Sequence, residues 1–337
     1  MKAVVALVTG ACATLSWQPA RADTFTWNSV NNDWTLGTNW TPLGPPGAGD
    51  SAIINAGNAQ LNVDAAISAL TQGGGTVSGT GTLSMTGTSA WTGGNQSGAG
   101  TSAFNGLGIN GVNTKSIGVR TVNAGDTTWS GNTGNNNNAI SISGAGIFNS
   151  TGTFTDSNGF NSTINRGNGG GTFNNLGTFN KQSNTTTAID VAFNNTGTVN
   201  VNAGVFLPGG GGTSTGTFNI ADGAKLELRN GAHILNNVTT SGAGTFQIST
   251  ENVGADASVQ LNGGTHTTAL LLSGSTLSGT DHTFQGVATW TGGAITGAAS
   301  TTFANTLGIS GANSKSIGVR TVNAGRSEER RVGKECA

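Results

Sequence analysis

The sequence predicts an all-β protein that folds as a parallel β-helix, a β-solenoid whose coils stack one above another. Three observations indicate this fold. Short runs of residues alternate apolar with polar side chains, a seven-residue motif returns at coil-length intervals, and an eleven-residue string occurs twice, 200 residues apart. Together they predict that the 337-residue chain is built from repeats, in which each coil contacts only its neighbours.

The predicted strands are short and are separated by turn residues. Four runs in the second half of the chain alternate strictly, which points one set of side chains inward. Gly, Asn and Asp border these runs, and such residues adopt positive φ angles at little cost. No amphipathic helix is predicted after residue 22. The four runs are TFNI at 217–220, KLELR at 225–229, TFQI at 245–248 and SVQLN at 258–262.

The motif that returns is FNSTGTF at residues 148–154. It recurs as FNNLGTF at 173–179 and as FNNTGTV at 193–199, so the steps are 25 and 20 residues, the length of one coil. Stacking is expected to place the first phenylalanine of each copy in one interior column. The paired asparagines are expected to form a ladder at a bend, where backbone and amide groups are satisfied together.

An antiparallel sandwich is the competing fold, since it also has short strands and many turns. A sandwich does not require near-identical motifs at coil-length intervals. Between Gly47 and Gly325 the only proline is Pro208, and proline would remove ladder hydrogen bonds from an interior coil. Disorder is disfavoured because β-branched and aromatic residues recur at ordered spacing.

The first 22 residues are predicted to be a secretory signal peptide. A short positive start precedes an apolar stretch, and residues 20–22 offer a small-x-small cleavage site. Cleavage is therefore expected between Ala22 and Asp23, and the protein is expected to be exported to the extracellular space or the outer cell surface. Cys12 leaves lipidation as an alternative, although Thr9 stands where a lipobox needs a large aliphatic residue.

Residues 23–70 are predicted to form an N-terminal cap and the first coils. Trp27, Trp34 and Trp40 crowd together there, and large aromatic rings can close the uncovered core of a first coil. The same tryptophans could instead form a platform for sugar rings, since aromatic faces pack on apolar sugar faces, so they are also binding candidates. The cap is favoured because terminal repeats are expected to be atypical.

Residues 71–325 are predicted to be the repeat region. The string KSIGVRTVNAG stands at 115–125 and again at 315–325, and the second long repeat begins near residue 275 and stops in mid-unit. Residues 326–337 carry seven of the chain's 29 charged residues and resemble a translated sequencing adapter. We interpret them as a non-native tail and the chain as a fragment of a longer protein. A charged, solvated terminus is the alternative.

Charge and cysteine content disfavour several classes of function. The segment 23–325 carries eight Lys and Arg against twelve Asp and Glu, so a nucleic-acid footprint or a basic membrane-binding face is not expected. The same segment contains no cysteine, so disulfides do not hold the fold. His233, His266 and His282 stand far apart, and a lone histidine is more often a surface or turn residue than a ligand. Neither a metal nor a cofactor is expected.

The acidic residues are scattered singly, which argues against catalysis. A β-helix enzyme that cleaves acidic polysaccharides needs clustered carboxylates, usually with calcium, and a base that takes a proton. No Gly-x-Ser-x-Gly elbow precedes a helix. We therefore expect no catalytic residues, although stacking could bring two carboxylates together.

Arg120 and Arg320 are charged residues that the long repeat places in otherwise neutral coils. Alternation along residues 117–122 predicts that Ile117 and Val119 point inward and that Arg120 points outward. A solvated face is the default interpretation. A stripe of arginines could instead contact an anionic glycan, so Arg120 and Arg320 are further binding candidates.

Recurring short strings also carry information about the family. They are the Trp-rich opening at 31–54, SGTGTL at 78–83, WTGG at 91–94 and 290–293, and the FNNxGTF strings. Together they resemble bacterial autotransporter-type and related β-strand-repeat surface proteins over essentially the whole segment 23–325. The resemblance implies a right-handed parallel β-helix that is exported and acts as an adhesin, a matrix component or a passenger displayed at the cell surface.

The sequence therefore predicts a secreted or surface-displayed structural or adhesive β-solenoid that contacts surfaces, glycans or matrix without catalysis. Extracellular glycans or other cell-surface material are the expected partners, and nucleic acid is not. Contact with a membrane would come only through a carboxyl-terminal anchor or barrel outside this chain.

Two alternative functions stay open. A polysaccharide-acting β-helix enzyme predicts a groove with at least three convergent charged side chains. An ice-binding solenoid predicts a flat face with Thr-x-Thr on every coil. The unequal lengths between the strings GTF at 216–218 and GTF at 244–246 argue against that regularity.

Overall fold

The computed structural model describes residues 22–135, 137–250, 256–297 and 299–325. These residues form 37 short β-strands and one 3-10 turn, Gly37–Asn39. The predicted signal peptide, apart from Ala22, and the predicted non-native tail lie outside the described residues. The strands are β1 (Thr24–Trp27), β2 (Trp40–Thr41), β3 (Ser51–Ile54), β4 (Asn58–Gln60), β5 (Ala65–Ile67), β6 (Ala69–Gln72), β7 (Thr76–Ser78), β8 (Thr82–Trp91), β9 (Gly94–Gln96), β10 (Thr101–Ile109), β11 (Lys115–Ile117), β12 (Thr121–Trp129), β13 (Ile140–Ile142), β14 (Ile147–Ser150), β15 (Thr153–Asp156), β16 (Ser162–Arg166), β17 (Thr172–Asn175), β18 (Thr178–Lys181), β19 (Thr186–Ile189), β20 (Ala192–Asn195), β21 (Thr198–Val201), β22 (Val205–Leu207), β23 (Gly212–Ser214), β24 (Thr217–Ile220), β25 (Lys225–Leu228), β26 (Ala232–Asn236), β27 (Thr239–Ser241), β28 (Thr245–Ile248), β29 (Ser258–Asn262), β30 (Thr265–His266), β31 (Ala269–Gly279), β32 (His282–Phe284), β33 (Ala288–Ile295), β34 (Thr301–Phe303), β35 (Leu307–Ile309), β36 (Lys315–Ile317) and β37 (Thr321–Asn323).

The strands stack into three parallel sheets around one core. The chain passes from sheet 1 to sheet 2, then to sheet 3, and returns to sheet 1 one coil further on. Sheet 1 contains β1, β3, β6, the second halves of β8, β10 and β12, and then β15, β18, β21, β24, β27, β30, β32, β34 and β37. Sheet 2 contains β4, β7, β9, β11, β13, β16, β19, β22, β25, β28, the first halves of β31 and β33, and β35. Sheet 3 contains β5, the first halves of β8, β10 and β12, then β14, β17, β20, β23, β26, β29, the second halves of β31 and β33, and β36.

This architecture is the predicted one, an all-β chain coiled as a parallel β-solenoid of about 13 turns. At a strand spacing of about 4.8 Å, such a stack is about 60 Å long. Among the described strands only β1 and β2 pair antiparallel, so the competing sandwich is excluded. Alternation decides which side chains enter the core, since strands such as β14 and β17 bury their second and fourth residues.

The phenylalanines of the returning motif fill the interior in columns, as predicted. Phe148, Phe173 and Phe193 lie in register in sheet 3, with consecutive ring centroids 5.1 and 5.9 Å apart. In sheet 1, Phe154 stacks on Phe179 with centroids 5.0 Å apart, and rings of the two columns meet edge to face. Burial of these rings is a large favourable contribution to the stacking of coils.

The asparagines of the motif occupy two positions instead of one ladder at a bend. Asn149 and Asn174 point outward from sheet 3, and Asn174 Nδ2 donates to Asn149 Oδ1 at 2.7 Å. Asn175 and Asn195 point inward at the ends of their strands, where Asn175 Nδ2 donates to Asn195 Oδ1 at 2.8 Å and to the Thr198 carbonyl at 3.0 Å. Strand alternation therefore splits the expected ladder, and only its buried half lies beside a corner.

A glycine shortly after each motif asparagine turns the chain from sheet 3 into sheet 1. A Cβ atom on Gly177 would lie 2.1 Å from the Gly152 carbonyl oxygen, and one on Gly197 would lie 1.9 Å from the Gly177 carbonyl oxygen. Neither space accommodates a side chain. The backbones of successive coils therefore touch at this corner, and the following threonine begins the strand of sheet 1.

The tryptophan-rich start closes the first coil, as predicted. The Trp40 ring meets the rings of Trp27 and Trp34 edge to face, with centroids 4.9 and 4.8 Å away, and Trp40 Nε1 donates to the Trp34 carbonyl at 2.8 Å. Strand β1 pairs with β3 on one side and antiparallel with β2 on the other. Strand β2 thus covers the first edge of sheet 1, which hinders pairing with another chain at that edge.

Candidate functional site

The outer surface of sheet 1 presents a continuous row of threonine side chains. Six threonines from successive coils occupy the same register position, and all but the last are half-buried between their neighbours. With rungs about 4.8 Å apart, the six span about 24 Å. We call this the threonine row, and it consists of Thr153, Thr178, Thr198, Thr217, Thr239 and Thr265.

A second polar row runs beside the threonine row, two residues further along each strand. Asn200 Nδ2 donates to Asn180 Oδ1 at 2.8 Å, and Asn219 Nδ2 donates to Asn200 Oδ1 at 2.9 Å. Each amide has two N–H donors and an oxygen with two lone pairs, so the Asn200 ladder bonds leave one donor and one lone pair for an outside partner. We call this the amide row, and it consists of Thr155, Asn180, Asn200, Asn219 and Ser241.

The local sequence explains why these rows are regular. In five of the six coils a glycine directly precedes the row threonine, so the corner and the first outward side chain of sheet 1 repeat together. An inward residue and then the amide-row residue follow. Loops elsewhere in the coil differ in length without disturbing this pattern, because register is set where the strands pair.

The sequence argument against Thr-x-Thr on every coil compared residues of different sheets. Its conclusion holds, since Asn or Ser takes the second position in four of the six coils, but the first position is threonine in all six. Thr217 begins β24 in sheet 1, whereas Thr245 begins β28 in sheet 2. Their separation along the chain says nothing about the regularity of either sheet. Sequence reasoning therefore missed the two rows, although the Gly-Thr step within the returning motif was a signal that would have identified them.

A polar groove crosses the corner between sheets 2 and 3. Its volume is about 980 Å³, and Gly274 and Gly293 lie among its lining residues. The groove is also lined by three charged residues, Glu227, Arg229 and Asp256. The enzyme alternative requires at least three charged side chains in one groove. The groove is the second candidate contact surface, on a different side of the rod from the threonine row.

Arg120 lies inside the solenoid, so its predicted outward orientation was wrong. Its side chain is fully buried, whereas Val119, predicted inward, is 55% exposed. Ile117 is buried as expected and ends β11, and β12 begins only at Thr121. Residues 118–120 form a corner outside any strand, so the period of two does not continue across them.

The Arg120 guanidinium joins three coils. Its Nε donates to Ser102 Oγ at 2.7 Å. Burial lowers the pKa of Arg120 to about 10. The guanidinium donates its hydrogen bonds to neutral oxygens, a hydroxyl and backbone carbonyls. Its other N–H groups reach backbone carbonyls at 2.8 to 3.4 Å, those of Gly79, Gly81, Ser97 and Thr101.

A buried hydrogen-bonded chain continues from Arg120 toward the first coils. Ser102 Oγ donates to Gln96 Oε1 at 2.7 Å, and Gln96 Nε2 donates to Gln72 Oε1 at 2.6 Å. Sequence reasoning missed this network. Its one signal was Gln72, which alternation places on the same inward side as Leu70.

Arg320 has the same sequence neighbours as Arg120 but is exposed. Within the described ranges no coil stacks on residues 315–325. Arg320 lines a cavity of about 390 Å³ with Asp281 and Ser300, and hydrogen bonds from Ser300 hold the pKa of Asp281 below its usual value, with a smaller contribution from the Arg320 charge. The two arginines therefore do not form a stripe.

The tryptophan candidates offer no open surface for a sugar ring. Trp27, Trp34 and Trp40 are 5%, 2% and 0% exposed, and stacking on a sugar requires a free aromatic face. The residues at the predicted cleavage position, Ala22 and Asp23, are both exposed. The Asp23 N–H donates to Asp50 Oδ1 at 2.9 Å.

All three histidines are buried, contrary to the surface or turn placement that was expected. The His233 Nε2 lies 2.7 Å from the Asn230 carbonyl oxygen, and the His266 ring packs against Phe284 with centroids 5.3 Å apart. Among the residues that the structure describes, no group of three or more His, Cys, Asp or Glu side chains is placed to hold a metal ion. The described ranges also contain no helix long and apolar enough to span a membrane.

The buried histidines predict that the solenoid loses stability in mild acid. Burial lowers the pKa of His233 and of His266 from the ordinary 6.5 to about 4. Between pH 4 and pH 6.5 the unfolded chain therefore binds more protons than the folded chain. Across this range the free energy of unfolding rises with pH by up to about 1.4 kcal/mol per pH unit per histidine, and above pH 6.5 it levels off. Urea unfolding between pH 4 and pH 8 measures this dependence.

The double variant His233→Gln, His266→Gln is the control for this prediction. Glutamine does not titrate, so the variant is expected to have a flatter stability curve between pH 4 and pH 6.5 than the unmodified protein. An unchanged slope in the double variant would assign the acid sensitivity to other groups.

Comparison of the chain with protein-family models, with curated proteins and with solved structures finds no match. The architecture by itself identifies the chain as a β-solenoid repeat protein.

Proposed function

We propose that this β-solenoid is an exported structural or adhesive rod that contacts extracellular glycans or matrix through the threonine and amide rows. The observation that carries the proposal is the pair of in-register rows on the outer face of sheet 1. Hydroxyl and amide groups both donate and accept hydrogen bonds, as the hydroxyl groups of a polysaccharide do. A repeating protein surface suits a repeating ligand.

Multiplication of weak contacts supplies the affinity in this proposal. A single exposed hydroxyl or amide contributes little, because it exchanges hydrogen bonds with water for hydrogen bonds with the ligand. Contacts on one rigid body add without a new loss of translational freedom, which raises avidity by orders of magnitude. Rigid stacking keeps the row side chains in place and so reduces the entropy lost on binding.

The proposal includes membership of the autotransporter-type or related β-strand-repeat surface proteins. The Trp-rich opening, the WTGG motifs and the FNNxGTF strings support it, together with the predicted signal peptide. Adhesins and matrix components of that kind work by surface contact, which agrees with a surface that offers hydroxyl and amide groups in rows.

Pelleting with insoluble cellulose, chitin and peptidoglycan tests the proposal. The double variant Thr178→Lys, Thr217→Lys places two long charged side chains in the threonine row, and we expect it to be retained at least tenfold less than the unmodified protein by the polysaccharide that binds. The matched control, Thr172→Lys, Thr186→Lys, carries the same change on the outward faces of sheets 3 and 2 and should be retained normally. Equal retention of both variants, or no retention of any protein, would refute the proposal.

Ice binding is the second candidate, and the threonine row specifically favours it. This alternative requires Thr-x-Thr on every coil, and the threonine row supplies the first threonine of that pattern in six successive coils. The Thr-x-Thr pattern itself occurs at 153–155 and 265–267, while Asn180, Asn200, Asn219 and Ser241 replace the second threonine in the four coils between. Inhibition of ice recrystallisation that disappears in the Thr178→Lys, Thr217→Lys variant, without polysaccharide retention, would favour ice over glycans.

A further inference from the structure

The polar groove lies at an irregular corner between sheets 2 and 3. Strand β31 bends through this corner with register shifts between Leu272 and Thr276. A Cβ atom on Gly274 would lie 2.1 Å from Thr250 Oγ1, and one on Gly293 would lie 2.5 Å from the Gly274 carbonyl oxygen. Only glycine fits at these two positions, because the preceding coil occupies the space that a Cβ atom would need.

Hydrogen bonds within the protein fix part of the polar lining of the groove. The Ser275 N–H donates to Thr250 Oγ1 at 2.8 Å, and the Ala257 N–H donates to Ser275 Oγ at 3.0 Å. Ser249 Oγ donates to Glu227 Oε1 at 2.8 Å. A carboxylate offers about four lone-pair sites, so Glu227 is held in place and keeps acceptor capacity for a ligand. The groove is therefore preorganised, which lowers the cost of binding.

The lining chemistry selects the class of ligand. Of the fifteen described residues around the groove, Ala294 is the one with an apolar side chain, so this lining does not suit an apolar molecule. Glu227 and Asp256 outnumber Arg229 there, which disfavours a polyanion. Hydroxyl, amide and carboxylate groups together suit a ligand with many hydroxyls and no charge, whose O–H groups donate to the carboxylates and whose oxygens accept from serine and asparagine.

We propose that this groove binds a neutral oligosaccharide, with Glu227 and Asp256 accepting hydrogen bonds from its hydroxyl groups and Asn313 contributing its amide. The groove holds the ligand without cleaving it. The inference rests on the proposed contact with glycans and deepens it by assigning a second site, an open groove. It uses none of the row residues, so each site can fail without the other.

Calorimetric titration with the neutral hexasaccharides cellohexaose, maltohexaose and chitohexaose tests this site, with hexagalacturonate as the anionic comparator. We expect at least one neutral hexasaccharide to bind with 1:1 stoichiometry and more tightly than hexagalacturonate. The double variant Glu227→Gln, Asp256→Asn should weaken that binding at least tenfold, because an amide is a poorer acceptor than a carboxylate.

Two further variants keep the result interpretable. Ala294→Trp fills the groove without changing its carboxylates and should also abolish binding, while circular dichroism confirms that the variant is folded. The row variant Thr178→Lys, Thr217→Lys should bind the hexasaccharide normally, whatever its behaviour with insoluble polysaccharide.

Four outcomes would overturn the inference. These are the absence of binding by every neutral hexasaccharide, tighter binding of hexagalacturonate, normal binding by both groove variants, and shorter saccharides appearing on chromatography after incubation. The last outcome would favour the enzyme alternative. None of the four affects the pelleting test of the threonine row.

Discussion

Phe173→Ala is expected to destabilise the solenoid by about 3 to 5 kcal/mol. The Phe173 ring lies between Phe148 and Phe193 in its own column, with centroids 5.1 and 5.9 Å away. It also meets Phe154 and Phe179 edge to face. Backbone ladders hold the coils at a fixed spacing, so the cavity left by the ring cannot collapse. Equilibrium unfolding in urea measures the loss.

The matched control for this prediction is Leu176→Ala in the same coil. Leu176 is 49% exposed, so its truncation should change the free energy of unfolding by no more than about 0.5 kcal/mol. Because coils of a solenoid can unfold separately, hydrogen exchange of β14, β17 and β20 should localise the effect of Phe173→Ala. Similar losses in the two variants would contradict the assignment of Phe173 to the centre of the core.

Arg120→Ala is expected to destabilise the fold by at least about 3 kcal/mol, because several buried acceptors lose a charged donor at once. The guanidinium donates at 2.8 Å to the Thr101 carbonyl and at 3.2 Å to that of Gly81. Arg120→Lys should recover little of the loss, since an ammonium cannot reproduce the planar fork that spans the coils. Thermal and urea unfolding of the three proteins test both statements.

The repeated string supplies an internal control. Arg320 stands in the same eleven-residue sequence as Arg120 but is exposed, so Arg320→Ala should stay within about 0.5 kcal/mol of the unmodified protein. Arg166→Ala, at another exposed arginine, should behave in the same way. Equal destabilisation by Arg120→Ala and Arg320→Ala would mean that the sequence neighbours, and not burial by stacked coils, determine the role of the arginine.

Several interior polar groups donate to carbonyl groups near the corners for a common reason. Where the chain leaves a sheet, its carbonyl groups lose their ladder partners and need other donors. Asn175 donates to the Thr198 carbonyl at 3.0 Å, Lys115 Nζ to that of Gly111 at 3.2 Å, and Trp129 Nε1 to that of Asn138 at 3.0 Å. The Arg120 guanidinium likewise donates to backbone carbonyls of the two preceding coils. The corners thus explain why a chain with so few charged residues buries several of them.

Much of the architecture was predictable because the signals are local. Alternation within a strand assigns inward and outward side chains, and it placed Phe148, Phe173 and Phe193 in one column correctly. The coil-length return of FNNxGTF predicted stacking, since a motif that repeats in sequence repeats in space once strands pair in register. The tryptophan-rich start was predictable as a cap because the first coil lacks a neighbour.

The candidate contact surfaces were less predictable. To identify the threonine row, one must know that Thr217 and Thr239 lie in the same sheet and that Thr245 lies in another. The separation of these residues along the chain does not reveal their sheets. The groove combines Glu227 with Asp256 from the following coil, residues that are not neighbours in the sequence. Both surfaces arise only when strands are assigned to sheets.

The sequence by itself determined that this chain coils as a β-solenoid, which apolar side chains face inward within each strand, and where the capping tryptophans lie. Only the tertiary structure decided the environment of the corner residues, and the two copies of KSIGVRTVNAG demonstrate the difference. The same arginine is buried at 120 and exposed at 320. The physical reason is that alternation is a property of a single strand, whereas burial at a corner depends on the coils stacked above and below it.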